Sequence, residues 1–377
     1  MKKLTRVRSS LLAILIFFSF ISLHSQPSHD QLPVFMVWDT QASFEKKTSD
    51  EEIERYFKRL TDHHITGMFL RASNEYYKKL SPIAHKAGMQ IHAWRPTMIR
   101  SDSAFMAAHK DWYAVNKNNA SCVDAPPYVG YYRWFCPNEP EVVKYLIDQY
   151  VELAKIDGIE GIHLDYIRYC DIFLPVGLQP KYHLVQDHEM PEYDYCYCHR
   201  CREGFKKEYG RDPIELSADD SSAQRQWRDW RLQAVVRIVD SIAQNVHGRT
   251  GKYVSAAVFP TPAISVTMVR QDWSKFRVDA VCPMLYHNFY NKGVDWIGEC
   301  VKEGLATMEY KKVLHAGIMV HQLTDPGQFT KAVHSAFVNG AGGVVLFAAN
   351  ALTDEQLNII RDYRPSGEQL NIIRDSR

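Results

Sequence analysis

The chain has 377 residues, with 45 Lys and Arg against 44 Asp and Glu, giving a net charge of +1. Charges of both signs are interspersed, which argues against nucleic acid or an anionic membrane as the main partner. Aromatic residues reach 12 %, with 8 Trp and 21 Tyr, a load that serves a core or a set of sugar-stacking platforms equally well.

Lys2, Lys3, Arg6 and Arg8 precede an apolar stretch from Leu11 to Leu23, closed by Ser25 and Gln26. A basic start, an apolar run of about 13 residues and a small-residue end predict a secretory signal over 1–25, too short for a comfortable membrane span. The expected product is exported, periplasmic or extracellular, with no stable membrane insertion after cleavage, because no later stretch is apolar enough to span a bilayer.

From there, strand-like and helix-like runs alternate. Strands are predicted at 33–38, 65–70, 89–94, 159–166, 253–259, 278–286, 312–320 and 343–349. Helices are predicted at 49–64, 76–87, 139–155, 223–246, 265–275, 294–304, 328–338 and 353–362. Thr48, Ser49 and Asp50 ahead of Glu51 and Glu52 give the first helix its start signal, and Gly88 and Gly304 fall where helices should stop. Eight βα units predict an α/β fold, a (β/α)8 TIM barrel forming one domain over 26–364. No Gly-rich phosphate loop follows any strand, which disfavours an open nucleotide-binding sheet.

Two connections are far longer than usual, 95–138 after the third strand and 167–222 after the fourth. Both leave the C-terminal face, where insertions build a substrate cleft. Eight cysteines in an exported chain lean toward disulfides. Cys196, Cys198 and Cys201 enclose His199; a disulfide in that loop, involving Cys170, is favoured over zinc held by three thiolates and the imidazole. Cys122 and Cys136 could close the other insertion, while Cys282 and Cys300 read as core. The octapeptide 355–362 recurs at 368–375; one copy completes the eighth helix and 365–377 is a surplus tail.

The fourth strand holds the most informative residues. Side chains alternate along a strand, so His163 and Asp165 share a face, and a carboxylate there must be paired or open to a cleft. Other strand ends contribute Asp39, Arg71, Trp94, Arg95, Tyr286, His287, His321 and Asn350, with Arg168 just beyond the fourth. Trp38 and Trp134 lie close to this set in sequence. Forked guanidinium and carboxylate groups beside rings suit a polyhydroxylated ligand, so a carbohydrate is the expected substrate. Glycoside hydrolysis needs two carboxyl groups. Asp165 supplies one, as nucleophile or stabiliser; the partner must be Asp39 or an acid of the long fourth loop, where Asp171, Asp187 and Glu189 compete. The polar run Gln186-Asp187-His188-Glu189 is favoured. Arg71, Trp94, Tyr286 and His287 would hold the sugar. His92, His163, His287 and His321 lack HxH or HExxH spacing, so no metal or other cofactor is expected.

The segment from Gly161 to Tyr169, GIHLDYIRY, resembles the strand-four signature of bacterial glycosyl-hydrolase-like family 10 proteins. The segment 195–205 and Gly210-Arg-Asp-Pro213 resemble their insertion. That resemblance implies a (β/α)8 barrel, action on cell-wall or other complex glycans, and an acid at Asp165. The family pattern often continues with Pro soon after the Arg-Tyr pair, whereas Cys170-Asp171 follows here. The leading expectation is an exported glycoside hydrolase. The alternatives are a non-catalytic glycan-binding barrel and a metal-dependent hydrolase or deacetylase.

Overall fold

The computed structural model describes residues 34–365; the expected leader and the second octapeptide copy lie outside the described residues. Eight parallel strands close into a barrel in chain order. They are β1 (Val34–Thr40), β2 (Ile65–Arg71), β3 (Gln90–Pro96), β4 (Gly161–Asp165), β5 (Tyr253–Val258), β6 (Ala280–Pro283), β7 (Val313–Met319) and β8 (Gly343–Phe347). The main helices are α1 (Asp50–Thr61), α2 (Asn74–Lys86), α3 (Pro140–Ala154), α4 (His199–Tyr209), α5 (Ser221–Thr250), α6 (Pro262–Val269), α7 (Asp295–Thr307), α8 (Pro326–Val338) and α9 (Asp354–Asp362). No helix among the described residues is long and apolar enough to cross a membrane.

Two-residue alternation sorts the strands into two apolar layers. Ile162, Leu164, Val254, Ala256 and Leu346 face the helices, while Met36, Trp38, Phe69, Trp94, Cys282 and Val345 fill the barrel interior. The β3–β4 register sets Trp94 opposite His163 and Pro96 opposite Asp165, so the inner face of β4 reads Gly161, His163, Asp165. A Cβ on Gly317 would lie 2.9 Å from the Trp38 ring and 2.7 Å from the Pro283 carbonyl oxygen. That missing side chain gives the Trp38 indole room inside the barrel.

Local signals explain most element ends. The Ser49 side chain accepts from the Glu52 amide, and Glu52 returns its carboxylate to the Thr48 amide, so α1 starts where its capping residues indicate. Among the expected boundaries that differ, two have a cause in the packing. Gly304 does not end α7, which runs on to Thr307; a Cβ there would meet Trp273 at 2.8 Å and Leu314 at 2.9 Å, so this glycine serves close packing. The helix expected through 275 stops at Val269, because Arg270 turns left-handed (φ 48°) and buries its guanidinium.

The insertions after β3 and β4 are knitted to one another. Tyr197 N donates to Val115 O at 2.7 Å, Lys117 N to Asp194 O at 3.0 Å, and Asn116 Nδ2 to Glu192 O at 3.1 Å. A buried ion pair of Asp194 with Arg231 fastens the second insertion to α5. All eight cysteines are free thiols, so neither the Cys122–Cys136 bridge nor a bridge from Cys170 forms. Cys122 instead exchanges hydrogen bonds with the Trp134 backbone, accepting from N at 3.2 Å and donating to O at 3.3 Å. Cys136 joins Cys196, Cys198 and Cys201, and His199 is exposed outside that group.

Candidate active site

The C-terminal mouth of the barrel holds a cavity of about 600 Å³. Its lining includes Asp39, Arg71, Trp94, Asp165, Arg168, Tyr286 and Asn350 from the sequence-derived set. Rings from the barrel and both insertions wall it, among them Trp38, Tyr132, Tyr166, Phe259, Tyr290 and Phe347.

Asp165 ends β4 on the inner face and is 7 % exposed. Oδ2 accepts from Trp94 Nε1 at 2.9 Å and Oδ1 from the Tyr166 amide at 2.7 Å. No cation lies within ion-pair distance among the described residues; Arg168 pairs with Asp171 instead, at 3.0 Å. Burial pushes the Asp165 carboxyl above the usual aspartate range, outweighing the two N–H donors and the more distant Arg168 and Arg71. Tyr166, immediately after it, holds a left-handed conformation at φ 50°. For a non-glycine residue that costs about 1–2 kcal/mol, and such strain clusters at functional sites. Here it turns the amide of residue 166 onto the carboxylate.

Asp39 also lines the mouth but belongs to another layer. It follows Trp38, which fills the interior, so its side chain turns toward α1. There Oδ1 accepts from the Thr40 amide at 2.7 Å and Ser43 Oγ at 2.5 Å, and Oδ2 accepts from Tyr56 OH. Burial raises its carboxyl, opposed by the hydrogen bonds from Ser43, Tyr56 and Thr40. Asn350 donates to the same Ser43 hydroxyl at 3.2 Å.

Arg168 lies in an aromatic cage, its guanidinium carbon 4.8 Å from the Trp134 ring centre, 4.9 Å from Phe259 and 5.4 Å from Tyr166. Its Nη1 donates to Asp171 Oδ2 and to the Tyr169 carbonyl at 2.9 Å. The Arg168–Asp171 pair therefore forms one wall, and Asp171 is the acid of the fourth loop that reaches the cavity.

The acids favoured in that loop do not reach it. The Asp187 side chain is 79 % exposed and pairs with His188, while Glu189 pairs with buried Arg270. Neither lines the cavity. Gln186 in the same run is buried as a clamp: Oε1 accepts from the Leu174 amide at 2.7 Å, and Nε2 donates to Tyr128 OH at 2.9 Å and Ile172 O at 3.2 Å.

His163 sits beneath the floor, fully buried and stacked on Phe69 at 3.8 Å. Trp38 Nε1 donates to its Nε2 at 3.0 Å, and its Nδ1 meets Ser255 Oγ at 2.8 Å. Burial and the nearby His92 and His315 hold it well below the usual histidine range, hence neutral, with Nδ1 carrying the proton toward Ser255. It orients Trp38 rather than touching the cavity. Arg95 points the other way, donating to Asn74 Oδ1 at 2.9 Å in a separate groove. His287 is buried and His321 exposed, both off the cavity lining. The four histidines weighed as a metal set are thus dispersed, with His92 and His163 inside the barrel; the one group of metal-ligating side chains gathered among the described residues is the four cysteines.

The fold is shared with several solved glycoside hydrolases. The glycoside hydrolase domain of PgaB (BpsB) from Bordetella bronchiseptica superposes with a TM-score of 0.65 at 12 % identity, covering 88 % of this chain and 98 % of that one. The beta-galactosidase of psychrophilic Marinomonas ef1 gives 0.59 at 8 % identity, over 87 % of this chain and 58 % of that one. The catalytic domain of the Paenibacillus polymyxa beta-amylase gives 0.56 at 11 % identity, over 91 % and 98 %. At these identities the likeness establishes the barrel. No curated protein matches the sequence. A family model does, over residues 70–325, from the end of β2 past β7. The chain belongs to that family, DUF4015, described as "Putative glycosyl hydrolase domain".

Proposed function

We propose that this protein is an exported glycoside hydrolase cleaving O-glycosidic bonds of a complex polysaccharide or oligosaccharide in the cavity at the barrel mouth. The observation that carries the reading is Asp165: a buried carboxyl with no ion pair among the described residues, raised by burial, at the C-terminal end of β4 in an aromatic-walled cavity. Family membership supports the reaction class. Export rests on the 1–25 pattern of the sequence.

Burial that raises a carboxyl favours its proton-bearing form, which suits a general acid better than a nucleophile. Asp165 gives its proton to the glycosidic oxygen as the bond to the anomeric carbon breaks. Asp171, oriented by Arg168, is the second carboxylate, facing the charge that develops at that carbon, where water supplies the oxygen that replaces the leaving sugar and its proton restores the carboxyl pair. Trp94 and the Tyr166 amide receive the Asp165 anion, so the charge left after proton transfer meets two donors already in place. Trp38, Trp94 and Tyr286 offer ring faces to the sugar, and Arg71 a guanidinium at the cavity wall.

One observation favours a binding-only barrel: the carboxylates of Asp39 and Asp171 both already have protein partners. Reducing-end release over a broad glycan panel separates the two readings. The hydrolase releases sugar, and Asp165→Asn lowers the rate by about 10²–10⁴-fold. Glycan binding by calorimetry without product after long incubation, or undiminished turnover in Asp165→Asn, would count against the assignment.

A further inference from the structure

A second cluster plays no part in that chemistry. Cys136 closes the β3 insertion; Cys196 and Cys198 end the β4 insertion's loop, and Cys201 lies in the first turn of α4. Their four sulfur atoms all lie within 4.8 Å of one another. Cys136 Sγ is 3.6 Å from Cys198 Sγ and 3.4 Å from Cys201 Sγ. A disulfide requires about 2.05 Å, so these sulfurs are close without being bonded. Sulfurs at the corners of a tetrahedron around zinc, each about 2.3 Å from the ion, stand about 3.8 Å apart. The observed spacing brackets that edge. An iron–sulfur cluster, whose inorganic core pushes its cysteines further apart, does not fit inside it.

The surroundings are built for thiolates. Val115 N donates to Cys196 Sγ at 3.4 Å and Asn138 Nδ2 to Cys201 Sγ at 3.4 Å, the outer hydrogen bonds that tune ligating sulfur. Cys198 is the N-cap of α4, so the positive end of an eleven-residue helix faces the group. Three of the four cysteines are buried, and gathered thiolate charge there needs a cation. His199, the imidazole suggested by the sequence, faces solvent.

We propose that Cys136, Cys196, Cys198 and Cys201 bind one zinc ion as a closed, structural site. With four protein ligands no position is open to water or substrate. The ion cross-links two insertions 62 residues apart at Cys136 and Cys198, and these insertions carry Tyr132 and Asp171 to the cavity wall.

The test is metal analysis of the full chain purified under reducing conditions from zinc-supplemented growth. About one zinc per chain is expected, with a zinc-edge X-ray absorption shell of four sulfurs at about 2.3 Å. Cys198→Ser with Cys201→Ser should drop zinc below about a tenth per chain, while His199→Ala keeps it. Should the double variant not fold, cobalt added to the demetallated wild type should give the visible bands and thiolate charge transfer of a tetrahedral four-sulfur site. Zinc-free protein that takes up no cobalt, iron in place of zinc, a nitrogen in the ligand shell, or fewer than eight titratable thiols after denaturation would each overturn the proposal.

Discussion

Trp94→Phe isolates the proton chemistry of Asp165, because it keeps a ring in the cavity wall and removes a single N–H. That N–H donates to Asp165 Oδ2 at 2.9 Å and favours the ionised carboxylate. A hydrogen bond to a charged group is worth about 1.5–3 kcal/mol net, and one pKa unit corresponds to about 1.36 kcal/mol. Losing it removes about 1.5–3 kcal/mol of preference for the anion and so raises Asp165 further above the usual aspartate range. The sign follows from the role. A general acid works while protonated, so activity falls as pH rises through its pKa, and the variant should carry that fall to higher pH. The assay is the pH dependence of kcat/KM on the best glycan for wild type and variant. An alkaline limb that stays put, or moves down, would refute the reasoning.

Other consequences are equally concrete. Asp171→Ala strands the Arg168 guanidinium, whose side chain is 8 % exposed; urea denaturation should show a loss of about 3–5 kcal/mol, mostly recovered when Arg168→Met is added. If the single variant loses under about 1 kcal/mol, the pair is not the buried wall described. Gly317→Ala should cost about 1–3 kcal/mol and weaken glycan binding, since the new methyl group meets Trp38 at 2.9 Å; wild-type stability and affinity would contradict the packing account. Asp187→Asn should leave turnover within about twofold and stability within about 0.5 kcal/mol, as expected for an exposed loop acid. A hundredfold loss of turnover there would return the second carboxylate to the 186–189 run.

The barrel was legible because it rests on local patterning. Short apolar runs alternate with amphipathic ones eight times, and the strands of the closed sheet fall within a few residues of those runs. Two of the misplaced ends have packing causes that no local pattern carries: Gly304 is silent about Trp273, and Arg270 about the acids it pairs with. The same limit governs the site. Asp165 stands out because an acid at the end of an apolar strand conflicts with its surroundings. Asp39 looks alike at the level of composition; alternation from inward-facing Trp38 is the signal that separates them. Inside the long fourth loop no periodicity exists to read, so polarity pointed to 186–189, whereas the chain folds Asp171 inward against Arg168. Tyr132, Tyr182 and Tyr290 reach the cavity through loop and turn geometry. Cys136 joins its three partners across more than fifty residues, a distance over which the Cys-x-Cys-x-x-Cys spacing has no reach.

The most direct test of Asp165 as the proton donor uses aryl glycosides of the preferred sugar, graded by leaving-group acidity, with Asp165→Asn. An acidic phenol needs no proton to depart, whereas a poor leaving group does. The account predicts a loss of about 10²–10⁴-fold on the poorest leaving group, shrinking toward wild-type bond cleavage on the best. A loss equally deep across the series would contradict it and make Asp165 the group that attacks or stabilises the anomeric carbon instead.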